Sequence, residues 1–266
     1  MSGWNTALVT GGGSGIGRRL AELLLARGVS VAVLDRDAPG EAAQQLQALA
    51  QRRPDTRCCY LQVDVTDAAG VVDAVNAAIA ALGAPDLVIN SAGVQDARPL
   101  AEQDAAAFRR LVEINLFGSR NVAAAVLPHM RPGAQLALVA SLAGLVPSYA
   151  YTAYNASKFG VVGLAGALRL EYIASGIEVS VICPPEVNTP MVEVERRTLP
   201  PVAAKLKDTA GTLEVGPACD YMLRQLQRRR FLIIPGWRAR QVARLARWMP
   251  WLMRYISEST VRREAR

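Results

Sequence analysis

The sequence has few residues of the types that bind metal ions or build disulfide frameworks. Its 266 residues include four cysteines and a single histidine, and no two cysteines have the Cys-x-x-Cys spacing of metal or redox motifs. The adjacent Cys58 and Cys59 would point to opposite faces of a strand, which disfavours a disulfide between them. We therefore expect no metal site and a reducing, cytoplasmic setting.

The sequence also lacks a convincing membrane span and a leader peptide. Residues 132–157 carry no charge over 26 positions, a length that would suit a transmembrane helix. The prolines, serines, tyrosines and amide side chains of this stretch argue against such a span. The first residues have no basic segment followed by an apolar one, so no signal peptide is predicted.

Acidic residues are scarce only towards the end of the chain. The formal net charge is +7, but twelve of the 30 basic residues and only two of the 23 acidic ones lie at positions 224–266. Positions 1–223 therefore carry a net charge of −3, and the remainder carries +10. A mildly acidic body argues against a protein whose whole surface binds nucleic acid, so we expect no nucleic-acid partner.

Short apolar runs alternate with longer helical patterns along most of the chain, half of which (51%) is hydrophobic. Strands are predicted at 6–10, 29–34, 57–63, 86–90, 135–141, 177–183 and 231–235. Helices are predicted at 16–27, 39–52, 67–82, 104–127, 153–174 and 213–228. Such alternation indicates an α/β fold, with a single Rossmann-type, doubly wound parallel sheet of about seven strands flanked by helices. This catalytic domain would span 1–235, include a polar, proline-punctuated lid at about 186–212, and bind ligands at the carboxyl ends of its strands.

A glycine-rich turn lies between the first predicted strand and the first predicted helix, with the sequence Thr10-Gly-Gly-Gly-Ser-Gly-Ile-Gly17. Glycines at 11, 15 and 17 allow a sharp turn and the close approach of a pyrophosphate to the start of a helix. Asp35 ends the second strand, where a carboxylate accepts hydrogen bonds from both ribose hydroxyls and repels a 2′-phosphate. This arrangement favours NAD, whereas the adjacent guanidinium of Arg36 leaves NADP as the alternative.

Tyr154 and Lys158 are four residues apart and therefore share one face of a predicted helix. A free phenol, whose pKa is about 10, is a poor base near neutral pH. An ammonium group one turn away, together with a cationic nicotinamide ring, would lower that pKa by favouring the phenolate. Tyr154 is thus predicted to be a general acid/base for an alcohol–ketone interconversion, with Ser141, at the end of the fifth strand, holding the substrate oxygen.

Seven motifs in a fixed order give residues 5–235 a resemblance to the short-chain dehydrogenase/reductase family. They are the glycine-rich turn, Asp64-Val65, Asn90-Ser-Ala-Gly93, Asn115, Ser141, Tyr154-x-x-x-Lys158 and Pro184-Pro-Glu-Val-Asn-Thr189. The resemblance implies an oxidoreductase that carries out hydride transfer with a nicotinamide dinucleotide. It also implies a homodimer or homotetramer.

The resemblance assigns roles to individual residues. Asp64 and Val65 would hold the adenine, and Asn90 would begin a segment that supports the central strand and the cofactor. Lys158 would bind the nicotinamide ribose, and Asn115 would help to retain a water that links Lys158 to solvent. The predicted catalytic residues are Asn115, Ser141, Tyr154 and Lys158. The predicted cofactor-binding residues, with Val187 and Thr189 at the carboxamide, are Gly11, Ser14, Gly15, Ile16, Gly17, Asp35, Arg36, Asp64, Val65, Asn90, Ala92, Gly93, Tyr154, Lys158, Pro184, Val187 and Thr189.

Two positions depart from the family pattern. Ser91 stands where the second asparagine of an Asn-Asn-Ala-Gly motif is usual, which is a mild change. Pro185 stands where the glycine of a Pro-Gly pair is usual, and it fixes φ and removes an N–H. Because this loop frames the nicotinamide, Pro185 bears directly on the path of the loop.

The predicted substrate pocket is uncharged, and its members are Val94, Leu142, Tyr151 and Met191. This composition indicates an apolar alcohol or ketone as substrate. The segments Tyr151-Thr-Ala-Tyr-x-Ala-Ser-Lys-Phe159 and Pro184-Pro-Glu-x-x-Thr-Pro190 resemble the subgroup with 3-ketodihydrosphingosine reductases, which reduce a long-chain ketone at a membrane surface. Asp35 fits poorly with the NADP preference of that subgroup. The alternatives are an NADP-dependent 3-ketoacyl or 3-ketosphinganine-type reductase and, from another class, a non-catalytic dinucleotide-binding sensor or scaffold.

Residues 236–266 form a basic extension, the tail, in which 236–257 has an amphipathic helical pattern interrupted at Pro250. One face carries Arg240, Arg244, Arg247 and Arg254, the other carries Val242, Leu245, Met249, Leu252 and Ile256, and Trp237, Trp248 and Tyr255 lie at the boundary. This composition is typical of a helix in a membrane interface, which would place the protein at the inner membrane surface. Packing of the apolar face on its own domain or on a partner subunit is the alternative, and the sequence leaves both open.

Overall fold

The computed structural model describes residues 3–197 and 199–264. The predicted ends of the domain and of the tail (1–2 and 265–266) and position 198 of the lid lie outside these residues. The strands are β1 (Thr6–Thr10), β2 (Ser30–Asp35), β3 (Cys58–Gln62), β4 (Leu87–Asn90), β5 (Gln135–Val139), β6 (Glu178–Ile182), β7 (Glu186–Asn188), β8 (Thr212–Glu214) and β9 (Leu232–Ile233). The helices are α1 (Gly15–Ala26), α2 (Glu41–Ala50), α3 (Ala68–Leu82), α4 (Ala105–Val112), α5 (Gly118–Val126), α6 (Thr152–Tyr172), α7 (Pro190–Arg196), α8 (Pro201–Asp208), α9 (Val215–Gln227), α10 (Trp237–Trp248) and α11 (Pro250–Glu264).

Seven of the strands form one sheet in the order β3-β2-β1-β4-β5-β6-β9. All of its pairings are parallel. The central strand β1 pairs with β2 on one side and with β4 on the other, so that Val9 lies opposite both Val33 of β2 and Ile89 of β4. The strand order reverses on either side of β1, so the carboxyl ends of β1 and β4 border a crevice. The predicted Rossmann-type α/β fold is confirmed.

The sheet is buried on both faces because its strands are apolar at successive positions. In β1, Leu8 packs into the core shared with α3, α5 and α6, while Ala7 and Val9 pack into the core shared with α1, α2 and α9. The two helical layers leave the carboxyl edge of the sheet as the accessible edge. Each predicted end of these seven strands lies within two residues of the observed one.

The predicted lid at 186–212 is more regular than its proline-punctuated sequence indicates. It contains β7, α7 and α8, and β7 pairs in parallel with β8, with Val187 opposite Leu213. Pro190 and Pro201 each stand at the first position of a helix, where the fixed φ suits the helix and the missing N–H has no partner to lose. These prolines therefore begin helices within the lid.

The tail forms two helices that separate at Pro250, as the sequence predicts. The apolar side of α10 packs on the molecule itself, where Ala239 is fully buried and Val242 packs against the cluster that contains Leu142 and Val146. Met253 packs inward as well, whereas Met249, which the helical pattern placed on the apolar face, is exposed. Pro250 restarts the helix in a new direction, so a single rotation of 100° per residue does not hold across it.

One arginine of the tail also faces the body of the protein. The Arg240 guanidinium donates a hydrogen bond to the Tyr221 hydroxyl at 3.0 Å and lies 5.4 Å from the centroid of that ring. Of the two interpretations that the sequence leaves open, packing on the same domain thus applies to the inner face of the tail. Its outer face remains exposed.

Candidate active site

A cavity of about 620 Å³ lies along the carboxyl edge of the sheet. Its wall includes every residue predicted for the site except Asn90 and Asn115, which are buried behind it. One half borders the glycine-rich turn and Asp35, and the other borders Leu142, Met191 and the tail. We call these the dinucleotide half and the substrate half of the cavity.

The glycine-rich turn after β1 closes through contacts that leave no room for side chains. Gly11 and Gly15 have φ values of +63° and +53°, in the left-handed region that favours glycine. A Cβ on Gly17 would lie 2.2 Å from the carbonyl oxygen of Gly11. α1 then begins without a side-chain cap from Ser14, so its first N–H groups are available to a ligand in the cavity. This cradle fits a pyrophosphate.

Asp35 lies at the end of β2, beside the glycine-rich turn. Its Oδ2 accepts a hydrogen bond from the Gly13 N–H at 2.8 Å, and its Oδ1 accepts one from the Asp37 N–H at 3.1 Å. These bonds hold the carboxylate in the cavity wall. The Arg36 guanidinium lies 3.7 Å from the Asp37 carboxylate with most of its side chain exposed, so much of its charge faces solvent.

The loop after β3 is fixed by its own side chains. Asp64 Oδ1 accepts hydrogen bonds from the N–H and the hydroxyl of Thr66, at 2.9 Å and 2.8 Å. The Val65 carbonyl accepts a hydrogen bond from Asn121 at 3.0 Å, and a Cβ on Gly118 would meet the Val65 side chain at 2.6 Å. Asp64 and Val65 are thereby held at the dinucleotide half.

Asn90 is a buried link between elements. Its Oδ1 accepts a hydrogen bond from the Thr10 hydroxyl at 2.6 Å, and its Nδ2 donates to Ser119 at 2.8 Å. The Thr10 oxygen in turn accepts a hydrogen bond from the Ala92 N–H at 3.2 Å. These contacts tie the end of β4 to the end of β1 and to α5, which supports the cavity wall from behind.

Asn115 lies in a π-helical turn, Glu113–Phe117, that joins α4 to α5. Its Oδ1 accepts from the Val94 N–H at 2.8 Å, while its Nδ2 donates to the Val94 carbonyl and to Ser157 Oγ, both at 2.9 Å. A π-bulge shifts the helical register and is frequent at functional sites. Here it anchors the segment beside Lys158, since a Cβ on Gly93 would lie 3.0 Å from Asn115 Oδ1 and 3.3 Å from Lys158 Nζ.

Tyr154, Ser141 and Lys158 come together in the cavity wall. Ser141 lies beside Tyr154, and hydrogen bonding from its side chain acts to lower the pKa of that phenol. Ser141 Oγ also accepts from the Ala143 N–H at 3.1 Å, which orients it after β5. Lys158 Nζ lies 5.7 Å from the centroid of the Tyr154 ring and donates to the Val139 carbonyl at 3.1 Å.

Burial governs the titration of these groups. It raises the pKa of Tyr154 to about 12, although the hydrogen bond from Ser141 acts in the opposite direction. Burial also lowers the pKa of Lys158 to about 8, against a smaller opposing effect of Cys183. The lowered pKa that the sequence predicts for Tyr154 is thus not found in the protein alone, where desolvation sets the direction of the shift.

The loop from Pro184 to Thr189 crosses the cavity. The Pro184 carbonyl accepts a hydrogen bond from the Leu142 N–H at 2.8 Å, and Pro185 leads directly into β7. Thr189 then lies against the glycine-rich turn, where a Cβ on Gly15 would be 3.5 Å from its methyl group. The loop thus faces the start of α1, with Pro185 accommodated in an extended path.

The substrate half is lined mostly by apolar side chains. Four of them are the predicted Val94, Leu142, Tyr151 and Met191. Four more come from the tail, which was not assigned a place in the pocket, namely Val242, Leu245, Met253 and Ile256. The amphipathic pattern showed that the tail has an apolar face but carried no signal of what that face covers.

A group of charges in the lid also escaped the sequence analysis. Lys207 contacts Glu186 and Glu195, with Lys207 and Glu186 in the cavity wall. These residues belong to three elements, so no local spacing signals their contact.

Two negative findings concern residues 3–197 and 199–264. No group of three or more His, Cys, Asp or Glu side chains among them could hold a metal ion. No helix formed by them is both long and apolar enough to cross a bilayer.

Sequence comparisons match this chain to one enzyme family. The family model described as short chain dehydrogenase matches residues 5–200. Two 3-dehydrosphinganine reductases of Arabidopsis thaliana are 35% and 38% identical to the chain, over 79% and 78% of its length. The alignments cover 64% of each of these relatives, so the chain spans just under two thirds of their length. Oxidoreductase UcpA of Salmonella typhimurium is 34% identical over 82% of the chain and 86% of that protein.

Solved structures share the architecture. Levodione reductase superposes with a TM-score of 0.77 at 27% identity, over 87% of this chain and 96% of that chain. A short chain dehydrogenase/reductase from Burkholderia phymatum, in complex with NAD, gives a TM-score of 0.79 at 24% identity, over 93% and 94% of the two chains. Because the family model spans most of the chain and relatives exceed 30% identity over most of it, this protein belongs to the short-chain dehydrogenase family, a family of oxidoreductases.

Proposed function

We propose that this enzyme interconverts a secondary alcohol and a ketone, with NAD as its cofactor and an apolar, lipid-like substrate. The observation that carries the proposal is the grouping of Tyr154, Ser141 and Lys158 in the wall of one cavity whose substrate half is mostly apolar. A proton-transferring phenol next to a hydroxyl that holds oxygen suits the reversible reduction of a carbonyl group.

The protein's own groups then have distinct tasks. In the oxidising direction Tyr154, as the phenolate, takes the proton of the alcohol, while Ser141 holds the alcohol oxygen by a hydrogen bond. Lys158, whose pKa is lowered to about 8, exchanges protons near neutral pH one helical turn away. Hydride transfer is the chemistry that the nicotinamide ring supplies when it is bound. In the reducing direction Tyr154 returns the proton to the carbonyl oxygen.

The choice of NAD rests on Asp35. Its carboxylate is held in the cavity wall by the Gly13 N–H, where it would accept hydrogen bonds from the ribose and repel a 2′-phosphate. An arginine that binds a 2′-phosphate would have to face the same position. Arg36 also borders the cavity, but most of its side chain is exposed and its guanidinium lies 3.7 Å from the Asp37 carboxylate.

The proposed substrate class rests on the walls of the substrate half and on the relatives. Apolar side chains from the active-site loop, the lid and the tail favour a hydrocarbon chain beside the carbonyl group. Two relatives are named for the reduction of 3-dehydrosphinganine. A 3-dehydrosphinganine-type long-chain ketone is therefore the specific candidate within this class.

The proposal predicts a dependence on chain length in a steady-state assay that follows NADH by absorbance. From 2-hexanone to 2-decanone, kcat/KM is expected to rise roughly 30-fold or more, because each buried CH₂ contributes about 0.8 kcal/mol. NADH is expected to support turnover at least about tenfold better than NADPH, because Asp35 repels the extra phosphate. 3-Dehydrosphinganine is assayed alongside.

Each contrary outcome of this assay removes a different part of the proposal. A preference for NADPH contradicts the assignment to Asp35. Equal kcat/KM for short and long ketones contradicts the apolar substrate class. Tight NADH binding without turnover of any ketone or alcohol would favour the non-catalytic sensor or scaffold.

We also propose that the outer face of the tail binds the surface of an anionic membrane. At the junction of α10 and α11, Trp248, Trp251 and Tyr255 are 76%, 64% and 69% exposed. Arg247 and Arg254, between and beside them, are exposed as well. We call these five residues the corner patch. Large exposed aromatic side chains mixed with arginines suit the interface of an anionic bilayer.

The position of the corner patch connects it to the proposed substrate. Ile256 follows Tyr255 directly, is exposed on its outer side, and lines the substrate half together with Met253. A membrane on the corner patch would therefore lie beside the substrate half, from which an apolar ketone could enter without crossing water. Attraction to the leaflet follows from the arginines, each of which contributes about 1 kcal/mol near an anionic surface.

Vesicle binding by the full chain tests this proposal. Trp4 is buried and the other three tryptophans lie in the tail, so a blue shift of tryptophan emission reports on the tail. A shift is expected with phosphatidylcholine vesicles that contain phosphatidylglycerol, and a much weaker one without it. The double variant Arg247→Gln/Arg254→Gln is expected to bind the anionic vesicles about 30-fold more weakly, whereas Arg52→Gln/Arg53→Gln, with the same charge change elsewhere, binds as the native protein does.

The aromatic part of the corner patch has its own test. Trp248→Ser/Trp251→Ser is expected to weaken binding to the same vesicles by at least about tenfold, because it removes two interfacial anchors. Native binding by both double variants contradicts a lipid partner. A change in oligomeric state of Trp248→Ser/Trp251→Ser, without vesicle binding by the native chain, would assign the corner patch to a second copy.

Two further expectations concern assembly and location. Many members of this family assemble as oligomers, and the predicted homodimer or homotetramer stays a prediction for this chain. A cytoplasmic location, at the inner surface of the membrane where the corner patch binds, is likewise proposed from the sequence and the tail.

A further inference from the structure

A cluster of charged and polar side chains lies beneath the lid, where α6, β7, α7 and α8 meet. Lys207 of α8 contacts the carboxylates of Glu195 in α7 and Glu186 in β7, with N–O distances of 2.5 Å and 2.6 Å. Glu195 also accepts a hydrogen bond of 2.5 Å from the hydroxyl of Tyr151, immediately before α6. Arg196 pairs with Glu186 on the outer side. We call these five residues the lid cluster.

The charges of the lid cluster are unusually well buried. The side chains of Glu195, Glu186 and Lys207 are 3%, 7% and 19% exposed. The free-energy cost of removing these charges from water offsets most of the electrostatic attraction between them. A buried ion pair is therefore weak evidence for stability, but it can specify one geometry. Lys205, on the same helix, shows the ordinary case, since its side chain is 60% exposed and pairs with Glu264 at the surface.

Tyr151 connects the lid cluster to Tyr154. The two rings lie 5.8 Å apart at an interplanar angle of 54°, and Lys207 Nζ lies 5.7 Å from the centroid of the Tyr151 ring. Tyr151 is buried and packs with Ala203 of α8. Burial and the charge of Glu195 raise the pKa of Tyr151 far above that of a free phenol, so Tyr151 acts as a fixed hydrogen-bond donor to that carboxylate.

We propose that Lys207, Glu195 and Tyr151 are positioning residues for the reaction proposed above, on which this inference rests. Lys207 holds α7 and β7 on α8, and Glu195 transmits that contact to the Tyr151 hydroxyl. The Tyr151 ring then supports the Tyr154 ring from the lid side. Lys207 and Glu186 also line the cavity, so the same contacts help to set its shape. Loss of Lys207 thus loosens the lid and Tyr154 together, while the glycine-rich turn stays intact.

Hydrogen–deuterium exchange of the full chain tests the role in the lid without any substrate. Lys207→Met is compared with Lys205→Met, which removes the same charge from the same helix. Peptides from α7 and α8 are expected to exchange about tenfold faster in Lys207→Met, and within about twofold of the native rate in Lys205→Met. Native exchange in Lys207→Met overturns the proposal, and this outcome is distinct from a failure of the proposed activity.

Kinetics with NADH and 2-decanone tests the link to Tyr154. Lys207→Met is expected to lower kcat about tenfold with a smaller change in the NADH dissociation constant, because β7 loosens while the glycine-rich turn and Asp35 stay in place. Lys207→Arg keeps the charge and is expected to retain most of kcat. In a Tyr151→Phe background, Lys207→Met is expected to change kcat by less than about twofold further. The hydrogen bond between Tyr151 and Glu195, through which Lys207 would act on Tyr154, is already absent there.

The outcomes separate a positioning role from a merely structural one. If the loss of kcat in the double variant equals the product of the losses in Tyr151→Phe and Lys207→Met, Lys207 does not act through Tyr151. Native kcat in both single variants contradicts the proposal outright. If Lys207→Met fails to fold, Tyr151→Phe alone carries the same expectation in exchange and in kcat.

Discussion

A Tyr154→Phe variant is expected to lose roughly a thousandfold or more in kcat, because a positioned acid/base group contributes about 10² to 10⁴-fold and the substitution removes the hydroxyl that would transfer the proton. The substitution removes one oxygen and leaves the ring in position beside Lys158. The NADH dissociation constant is therefore expected to stay within about threefold of the native value. Steady-state turnover and fluorescence titration of NADH measure the two quantities separately.

Tyr149→Phe is the matched control for this experiment. Tyr149 lies five residues before Tyr154, is exposed, and does not belong to the cavity wall. Its variant is expected to retain kcat within about twofold, as for most exposed substitutions. If Tyr154→Phe keeps more than about a tenth of the native kcat, the general acid/base is another group and the proposed mechanism is wrong.

The surroundings of Tyr154 explain why the expected loss reports on its oxygen alone. Burial raises the pKa of Tyr154 to about 12, so the protein by itself strongly favours the neutral phenol. Hydrogen bonding from Ser141 acts in the opposite direction, towards the phenolate. All of these influences remain in Tyr154→Phe, and only the atom that carries the proton is removed.

Local patterns predict the dinucleotide half well because its contacts are short in sequence. Gly17 meets Gly11 only six residues away, so the spacing of the glycines already contains the geometry of the turn. Tyr154 and Lys158 share a helix face for the same reason. The Rossmann-type fold follows from the alternation of apolar strands and helices, and the family match and the sheet order confirm it.

The tail and the lid cluster could not be predicted, because their roles depend on contacts between distant parts of the chain. Val242 packs against a cluster that contains Leu142, a hundred residues earlier, and an amphipathic pattern does not indicate which surface its apolar face covers. Lys207 and Glu195 lie in a polar segment, where charged residues are usually solvated. Only the fold shows that they meet Tyr151 in a buried position.

Gly17→Ala is expected to raise the NADH dissociation constant by roughly 100-fold, or about 3 kcal/mol, the upper end of the usual cost of overpacking. A Cβ on Gly17 would lie 2.2 Å from the carbonyl oxygen of Gly11 and 2.8 Å from its carbonyl carbon. Gly11 cannot move away easily, because the backbone of Ala92 is close behind it. A Cβ placed on Gly11 would lie 2.8 Å from that backbone. The turn must open to admit the methyl group, which moves the N–H groups at the start of α1 away from the pyrophosphate.

Gly163→Ala separates this local strain from the general effect of adding a methyl group. Gly163 lies in α6, and outside the adjoining backbone of that helix no atom lies within 4 Å of the position that a Cβ would take. Its variant is expected to bind NADH as the native protein does and to melt about 2–4 °C higher, because alanine is favoured over glycine within a helix by about 1 kcal/mol. Native affinity in Gly17→Ala, measured by fluorescence titration below its melting temperature, would show that the pyrophosphate does not lie in the glycine-rich turn. The dinucleotide half of the cavity would then belong to a different ligand, and the role of Asp35 in selecting NAD would fall with it.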